Sequence, residues 1–572
     1  MLVFCVSGII LNHREAFSGC EVSRKWLPAS YHIKNFNNGV VKGTVVKNSG
    51  SLAISEGFSD SILVYGCAGV FLTDYQLSTW QDFNAGLPKS IDERNVRHLV
   101  QARDGSLWCA ALRDVYRYDE NAQQWKKVEL PGNEERIMDV ALGKNSIQVV
   151  ALTRSRIFEI TPIASNIDVS ESPSSLASSA KGGVSEKSPD IFEKKSGGFS
   201  EKVGTFLGKY RVEAKIIPAP KNYEPKTTLF KLVWHLHSGE FFGLPGKLVV
   251  DAIALVLIVL SITGIIRFIL PYGIRRAKKV KSEERRVKNS LAAKNRMKRL
   301  GKLFAWNMKW HNKIGYVTIV LTLWIAITGM CLRPPLMVPL VLSKLPQAVG
   351  EDGNVWQDKL RAIRWDAVQG DWLVSTSEGF LRVDEDFSQA PKMLPDDECP
   401  KLSPMGVTVW ESDGKGGWIV GSFRGIYRWN PVNHKSQILD YFTNEPCVET
   451  SMIPISDNLI CGYSEDFLGG KPLVFDFAKG VEDAKGQAVV LCNDEPKTSR
   501  NEESMSDLIC ETAPMSLWNV ALELHVGRCY SPFLGPLSDL FVFLSGLLIT
   551  LVLLSGYIIS HRRRKKAQAR LK

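Results

Sequence analysis

Three apolar runs, at residues 248–270, 314–332 and 537–559, constrain this chain more than any other feature. Each is about 20 residues long, and a helix rising about 1.5 Å per residue then crosses a hydrocarbon layer of about 30 Å. A chain of 572 residues is also too long for one compact core, so the runs must divide it into membrane and non-membrane parts.

The formal charge of +11 would suit a nucleic-acid partner if it were spread over a surface, but it is not. Thirteen Lys or Arg and two Glu lie between Arg275 and Lys302, and seven more basic residues follow His561 without an acid. Outside these two stretches 51 basic residues face 58 acidic ones. The excess therefore flanks apolar runs, where the positive-inside rule places cytoplasmic loops, and the nucleic-acid reading loses its support. The same rule puts the long stretches 14–233 and 334–523 on the opposite side, which in a bacterium is the periplasm. That compartment permits disulfides, yet the eleven cysteines form no CxxC or other ligand spacing, and Cys492 with Cys510 is the one candidate pair.

The chain is internally duplicated. "HLHSGEFFGLPGKLVVDAIAL" (235–255) and "ELHVGRCYSPFLGPLSDLFVF" (523–543) align His237, Gly239 and Asp251 with His525, Gly527 and Asp539 at one constant offset. Thr263-Gly264 and Ser555-Gly556 match further along, after about one extra helical turn in the second copy. "VSGIIL" (6–11) resembles "ITGMCL" (327–332), which makes the eleven-residue apolar start the end of a transmembrane helix whose beginning falls before Met1. The unit is helix, large periplasmic segment, helix, present twice, and it predicts four helices related by a pseudo-twofold axis along the membrane normal.

A finer repetition runs through the periplasmic segments: "SILVYGCAGVFLTD" (61–74), "SLWCAALRDVYRYD" (106–119), "SIQVVALTRSRIFEI" (146–160), "DWLVSTSEGFLRVD" (371–384), "GWIVGSFRGIYRWN" (417–430) and "NLICGYSEDFLGGKPLVFDF" (458–477). Each reads as a strand, a small or polar turn and a second strand, the pattern of a β-hairpin. A spacing of about 40 to 46 residues suits four-stranded propeller blades, and three or four per half favour one propeller shared by both halves over two separate β domains.

The expected architecture is thus a membrane four-helix bundle plus an all-β, propeller-like periplasmic domain. Its segments are a shortened first transmembrane helix (1–13), a β-rich half (14–163), a Ser/Gly/Lys-rich linker (164–202), a return segment (203–236) and a second helix (237–271). A basic cytoplasmic loop (272–310), a third helix (311–333), a second β-rich half (334–482), a loop and return segment (483–524), a fourth helix (525–560) and a basic tail (561–572) complete it. No phosphate loop, zinc spacing or nucleophile elbow is present in the sequence.

The helical phrases, together with "MKWHNKIGYVTIVLTLWIAITG" (308–329) and "SGIILNHRE" (7–15), resemble the PepSY-associated transmembrane helix family of bacterial inner-membrane proteins. The β phrases resemble regulator-type propeller blades, and no compact PepSY domain is visible between the helices. The family resemblance implies a link to iron uptake, and a likeness to membrane reductases that hold b-type haem between helices and reduce ferric siderophores.

Whether that transfers depends on the histidines. Bis-histidine ligation needs two imidazoles facing one another from different helices at similar depth. His237 and His525 are the matched pair, His13 is a substitute for either, and His311 stands at the opposite end of the third helix with only His561 to accompany it. The alternatives are ordinary interfacial hydrogen bonding and proton or metal handling. Asp251 and Asp539 either anchor their helix starts or hold a histidine N–H, as haem or metal ligation usually requires. Gly264, Gly329 and Gly556 are expected to permit close helix packing. The sequence thus yields two readings: a haem-containing electron-transfer or reductase component of iron acquisition, with no metal beyond the haem iron, or a non-enzymatic, membrane-anchored periplasmic module that binds a ligand or protein partner.

Overall fold

A computed structural model describes residues 1–47, 61–162, 205–207, 210–284, 291–347, 353–403, 405–432, 438–447, 458–491, 508–509 and 513–569. The expected linker at 164–202 and the Cys492–Cys510 pair lie outside these residues. The chain divides into two compact units, a helical one made of 1–32, 224–348 and 514–572 and a β-rich one made of 33–223 and 349–513. Both halves of the duplicated sequence contribute to each unit.

The helical unit contains α1 (Leu2–Asn12), α2 (Leu229–Ser238), α3 (Gly243–Glu284), α4 (Leu291–Val317), α5 (Ile319–Cys331), α6 (Leu517–His525) and α7 (Ser538–Ala569). Among the described residues two stretches, Glu240–Gly273 and Arg528–Lys566, are long and apolar enough to cross a membrane. The run expected as one straight helix at 311–333 is instead broken, because α4 and α5 meet at Thr318 with a bend of 69°. Thr318 and Thr322 each bond a hydroxyl to the carbonyl four residues back, a habit that bends helices.

The duplication is visible in how the helices start and stop. The hydroxyl of Thr228 caps α2 by accepting from the Lys231 N–H, and that of Ser516 caps α6 by accepting from the Asn519 N–H. Both helices are followed by glycine in the left-handed region, Gly239 with φ 81° and Gly527 with φ 89°. A Cβ at residue 239 would lie 2.4 Å from the Gly246 carbonyl oxygen, so the turn admits no larger residue. Consequently His237 and His525 do not open the long helices, as the boundaries 237–271 and 525–560 supposed; each lies in the last turn of a short helix of its own.

Two strand pairs stitch the halves crosswise. Glu21–Val22, after α1, pairs antiparallel with Met515–Ser516, before α6. Lys344–Pro346, after α5, pairs in the same way with Lys226–Thr228, before α2.

Among the described residues the β-rich unit holds six small antiparallel sheets, of four, four, five, four, four and three strands in chain order. All six repeated phrases form antiparallel hairpins, for example Ser61–Gly66 against Gly69–Asp74 and Trp418–Ser422 against Gly425–Trp429. The strand "SILVYG" is buried throughout rather than alternately because both of its faces are covered. Ile62 and Val64 join a buried cluster with Phe475 and Val481 of the sixth sheet, whereas Leu63 and Tyr65 join another with Leu99 and Leu107 of the second. Equivalent clusters join the second sheet to the third, the third to the fourth, the fourth to the fifth and the fifth to the sixth.

A polar junction ties four of these sheets together. The Asp139 carboxylate is buried, with the Arg364 guanidinium at 2.6 Å, the His98 ring at 3.1 Å and the Ile363 N–H at 2.9 Å. Burial opposes ionisation of Asp139 most strongly, yet Arg364 and His98 together hold its carboxyl below the usual range. Arg364 also donates to the Trp410 carbonyl, reaching the fifth sheet.

Candidate functional site

The candidate site is built within the helical unit from α1, α2, α5 and α6. His237 and His525 occupy equivalent last-turn positions of α2 and α6, and their rings meet with centroids 6.2 Å apart and planes inclined by 51°. Each Nδ1 meets a hydroxyl on another helix: that of His237 lies 2.9 Å from the Thr328 hydroxyl of α5, and that of His525 lies 2.9 Å from the Ser7 hydroxyl of α1. The Phe4 and His525 rings meet at right angles with centroids 5.9 Å apart.

The glycine after each hydroxyl residue receives the ring. A Cβ at Gly329 would lie 2.8 Å from His237 Cε1, and one at Gly8 would lie 3.4 Å from His525 Cε1. Gly329 therefore makes room for an imidazole rather than for a neighbouring helix backbone. Gly264 does likewise, with His311 Cε1 3.7 Å from the position its Cβ would take. The third glycine, Gly556, has nothing within 4 Å of that position among the described residues, and the close helix contact falls instead at Gly546, against Met330.

The remaining candidates are elsewhere. His13 does not join the histidine pair, because its Nε2 is 2.8 Å from the Asp251 carboxylate. Asn12 donates to the other Asp251 oxygen at 2.9 Å, so this aspartate grips the end of the first helix rather than the neighbouring His237. Asp539, its repeat mate, is largely exposed and faces Arg333 at 3.4 Å. His311 forms a separate site with the Thr263 hydroxyl, 2.7 Å from its Nδ1. His561 stacks on Tyr316 and Tyr557.

Ser7 and Thr328 are the residues that sequence reasoning passes over. Their signal is the hydroxyl–glycine dipeptide within the apolar helices, found at Ser7-Gly8, Thr263-Gly264, Thr328-Gly329, Ser545-Gly546 and Ser555-Gly556. Read as a packing motif, it hides the hydrogen-bond acceptor beside each glycine.

The site can place two neutral imidazoles on one metal. With imidazole nitrogens about 2 Å from a metal, two rings sharing it have centres roughly 6 Å apart. The centroids of His237 and His525 are 6.2 Å apart, and Gly329 and Gly8 lie against the two rings.

The sequence model of the PepSY-associated TM region matches residues 62–270 and 277–564. The chain belongs to the PepSY-associated TM family. Membership makes it a membrane protein in contact with lipid, consistent with its two long apolar helices. No curated protein matches the chain in sequence. Among solved structures it is similar to the extracellular domain of BT4673 from B. thetaiotaomicron, named in one structure as a one-component and in another as a hybrid two-component system. The first has 10% identity and a TM-score of 0.33, with 83% of this PepSY-associated chain covered. The second has 10% identity and a TM-score of 0.28, with 79% covered. The chain spans 39% of the length of each of those proteins.

Proposed function

We propose that this protein is a multi-pass component of a bacterial inner membrane that carries haem b between His237 and His525 and serves reduction of iron in a ferric siderophore on the periplasmic side. The observation that carries this reading is the 6.2 Å approach of two repeat-related imidazoles drawn from separate helices. Haem b, when bound, supplies one-electron transfer. His237 and His525 would be the residues that hold it, among side chains of the surrounding apolar helices.

In this reading α1, α3, the α4–α5 pair and α7 form a four-helix bundle, and the six sheets form a six-bladed propeller in the periplasm. Support for the propeller comes from the buried clusters, which link each sheet to the next and the sixth back to the first.

The test is the visible spectrum of the detergent-purified protein from haem-replete cells, oxidised and then reduced with dithionite. A Soret band that sharpens on reduction is expected, and His237→Ala and His525→Ala should each abolish it. Protein without a Soret band, or with a band that survives both substitutions, overturns the haem proposal.

The size of the β-rich unit favours a second reading, in which the propeller binds a ligand or protein partner and the helices anchor it. That reading predicts a haem-free protein whose β-rich unit gains thermal stability from a periplasmic ligand.

A further inference from the structure

We infer that Ser7 and Thr328 are positioning residues that fix His525 and His237 as Nδ1–H tautomers and so present both Nε2 lone pairs. The inference rests on the haem reading for its consequence, but not for its geometry. Each hydroxyl has a committed proton: Ser7 donates to the Val3 carbonyl at 2.7 Å, and Thr328 donates to the Trp324 carbonyl of its own helix at 2.8 Å. A hydroxyl oxygen whose proton is already given to its own helix can only accept from the imidazole. The proton on each neutral ring therefore sits on Nδ1, and the lone pair is left on Nε2.

The arrangement occurs a third time. Thr263 donates its proton to the Val259 carbonyl at 2.7 Å and faces His311 Nδ1 at 2.7 Å. A serine or threonine bonded to its own helix, a glycine next to it and a histidine seated on both is thus a recurring device. In the pair at His237 and His525 the device is crossed, since each half of the duplicated chain supplies the seat for the other half's histidine.

A hydroxyl accepting from Nδ1–H makes the imidazole a stronger electron donor through Nε2 and favours the ferric state of a bound haem iron. The experiment compares Ser7→Ala and Thr328→Val with the hydroxyl-retaining swaps Ser7→Thr and Thr328→Ser. In haem-loaded protein the two deletions should each raise the midpoint potential and speed haem loss, while the swaps stay at the wild-type potential. Unchanged potentials in both deletions overturn the inference while leaving the haem reading intact.

A second readout does not need haem. In protein with ¹⁵N-labelled histidine, freed of haem, the nitrogen shifts of His237 and His525 should report protonated Nδ1. Ser7→Ala and Thr328→Val should convert their respective rings to mixed tautomers. Wild-type rings protonated on Nε2 overturn the inference whether or not the protein binds haem. If a deletion variant fails to fold, the wild-type tautomers and the swap variants still decide.

Discussion

A methyl group added at residue 329 tests the site most directly, because the structure fixes where it must go. The Cβ of Gly329→Ala would stand 2.8 Å from His237 Cε1, and ordinary contact begins at about 3.4 Å. The ring must retreat or α5 must shift, and either movement strains the 2.9 Å hydrogen bond to Thr328. Overpacking of this kind costs about 1–3 kcal/mol, which corresponds to roughly 5- to 140-fold weaker haem retention. Gly8→Ala is the internal control. Its Cβ would sit 3.4 Å from His525 Cε1, at the edge of normal contact, so its effect should stay under about 5-fold. The assay is haem transfer from the purified protein to an excess of apo-globin, followed at the Soret band. Equal retention in Gly329→Ala and wild type, or a larger loss in Gly8→Ala than in Gly329→Ala, refutes the argument that these glycines make room for the rings.

Other expectations follow from the β-rich unit and from the topology. Asp139→Ala leaves Arg364 buried without its partner and should destabilise the unit by about 3–5 kcal/mol, read as a lower thermal midpoint. Because the folded Asp139 carboxyl lies below its unfolded range of about 3.9, its contribution is complete above that value and is lost as pH falls through the lower folded one. Asp139→Asn should therefore flatten the acid limb of the stability profile, and an unaltered limb counts against the pairing. Trp372, fully buried between the third and fourth sheets, should cost about 3–5 kcal/mol on replacement by alanine, measured by thermal unfolding in detergent. Reporter fusions after Lys302 should read as cytoplasmic and fusions within 164–202 as periplasmic; a periplasmic signal after Lys302 would reverse the orientation.

Much of this architecture is legible because the duplication doubles every signal. The offset that aligns His237 with His525 also aligns Thr228 with Ser516 and Gly239 with Gly527, and all three pairs have matching roles as ring, cap and left-handed turn. The hairpins are legible because their turns and aromatic strand ends recur at regular spacing. What stays hidden is local. A histidine two residues before a left-handed glycine looks, in sequence, like the start of the apolar helix that follows, so the break at 239–242 escapes notice. The bend at Thr318 is hidden for a related reason. Hydropathy counts apolar residues without registering whether their axis is straight, and a back-bonded threonine is as compatible with a span as with a kink. His13 can be placed from sequence by its depth alone, while its partner Asp251 lies 238 residues away in the chain.

The crossed seats give the duplication a physical meaning. Contacts related by a twofold axis are reciprocal, and the repeat-related contacts here have that form. His525 rests on Ser7 and Gly8, His237 on Thr328 and Gly329, and the strand pairs at 21–22 with 515–516 and 226–228 with 344–346 cross between halves in the same way. The sheets obey the same logic, since the third sheet, from the first half, shares its core with the fourth, and the sixth shares its core with the first. Neither half can bury its own interface or complete its own ring seat. Separately expressed halves, cut in the basic loop after residue 284, should therefore hold haem only when they are produced together.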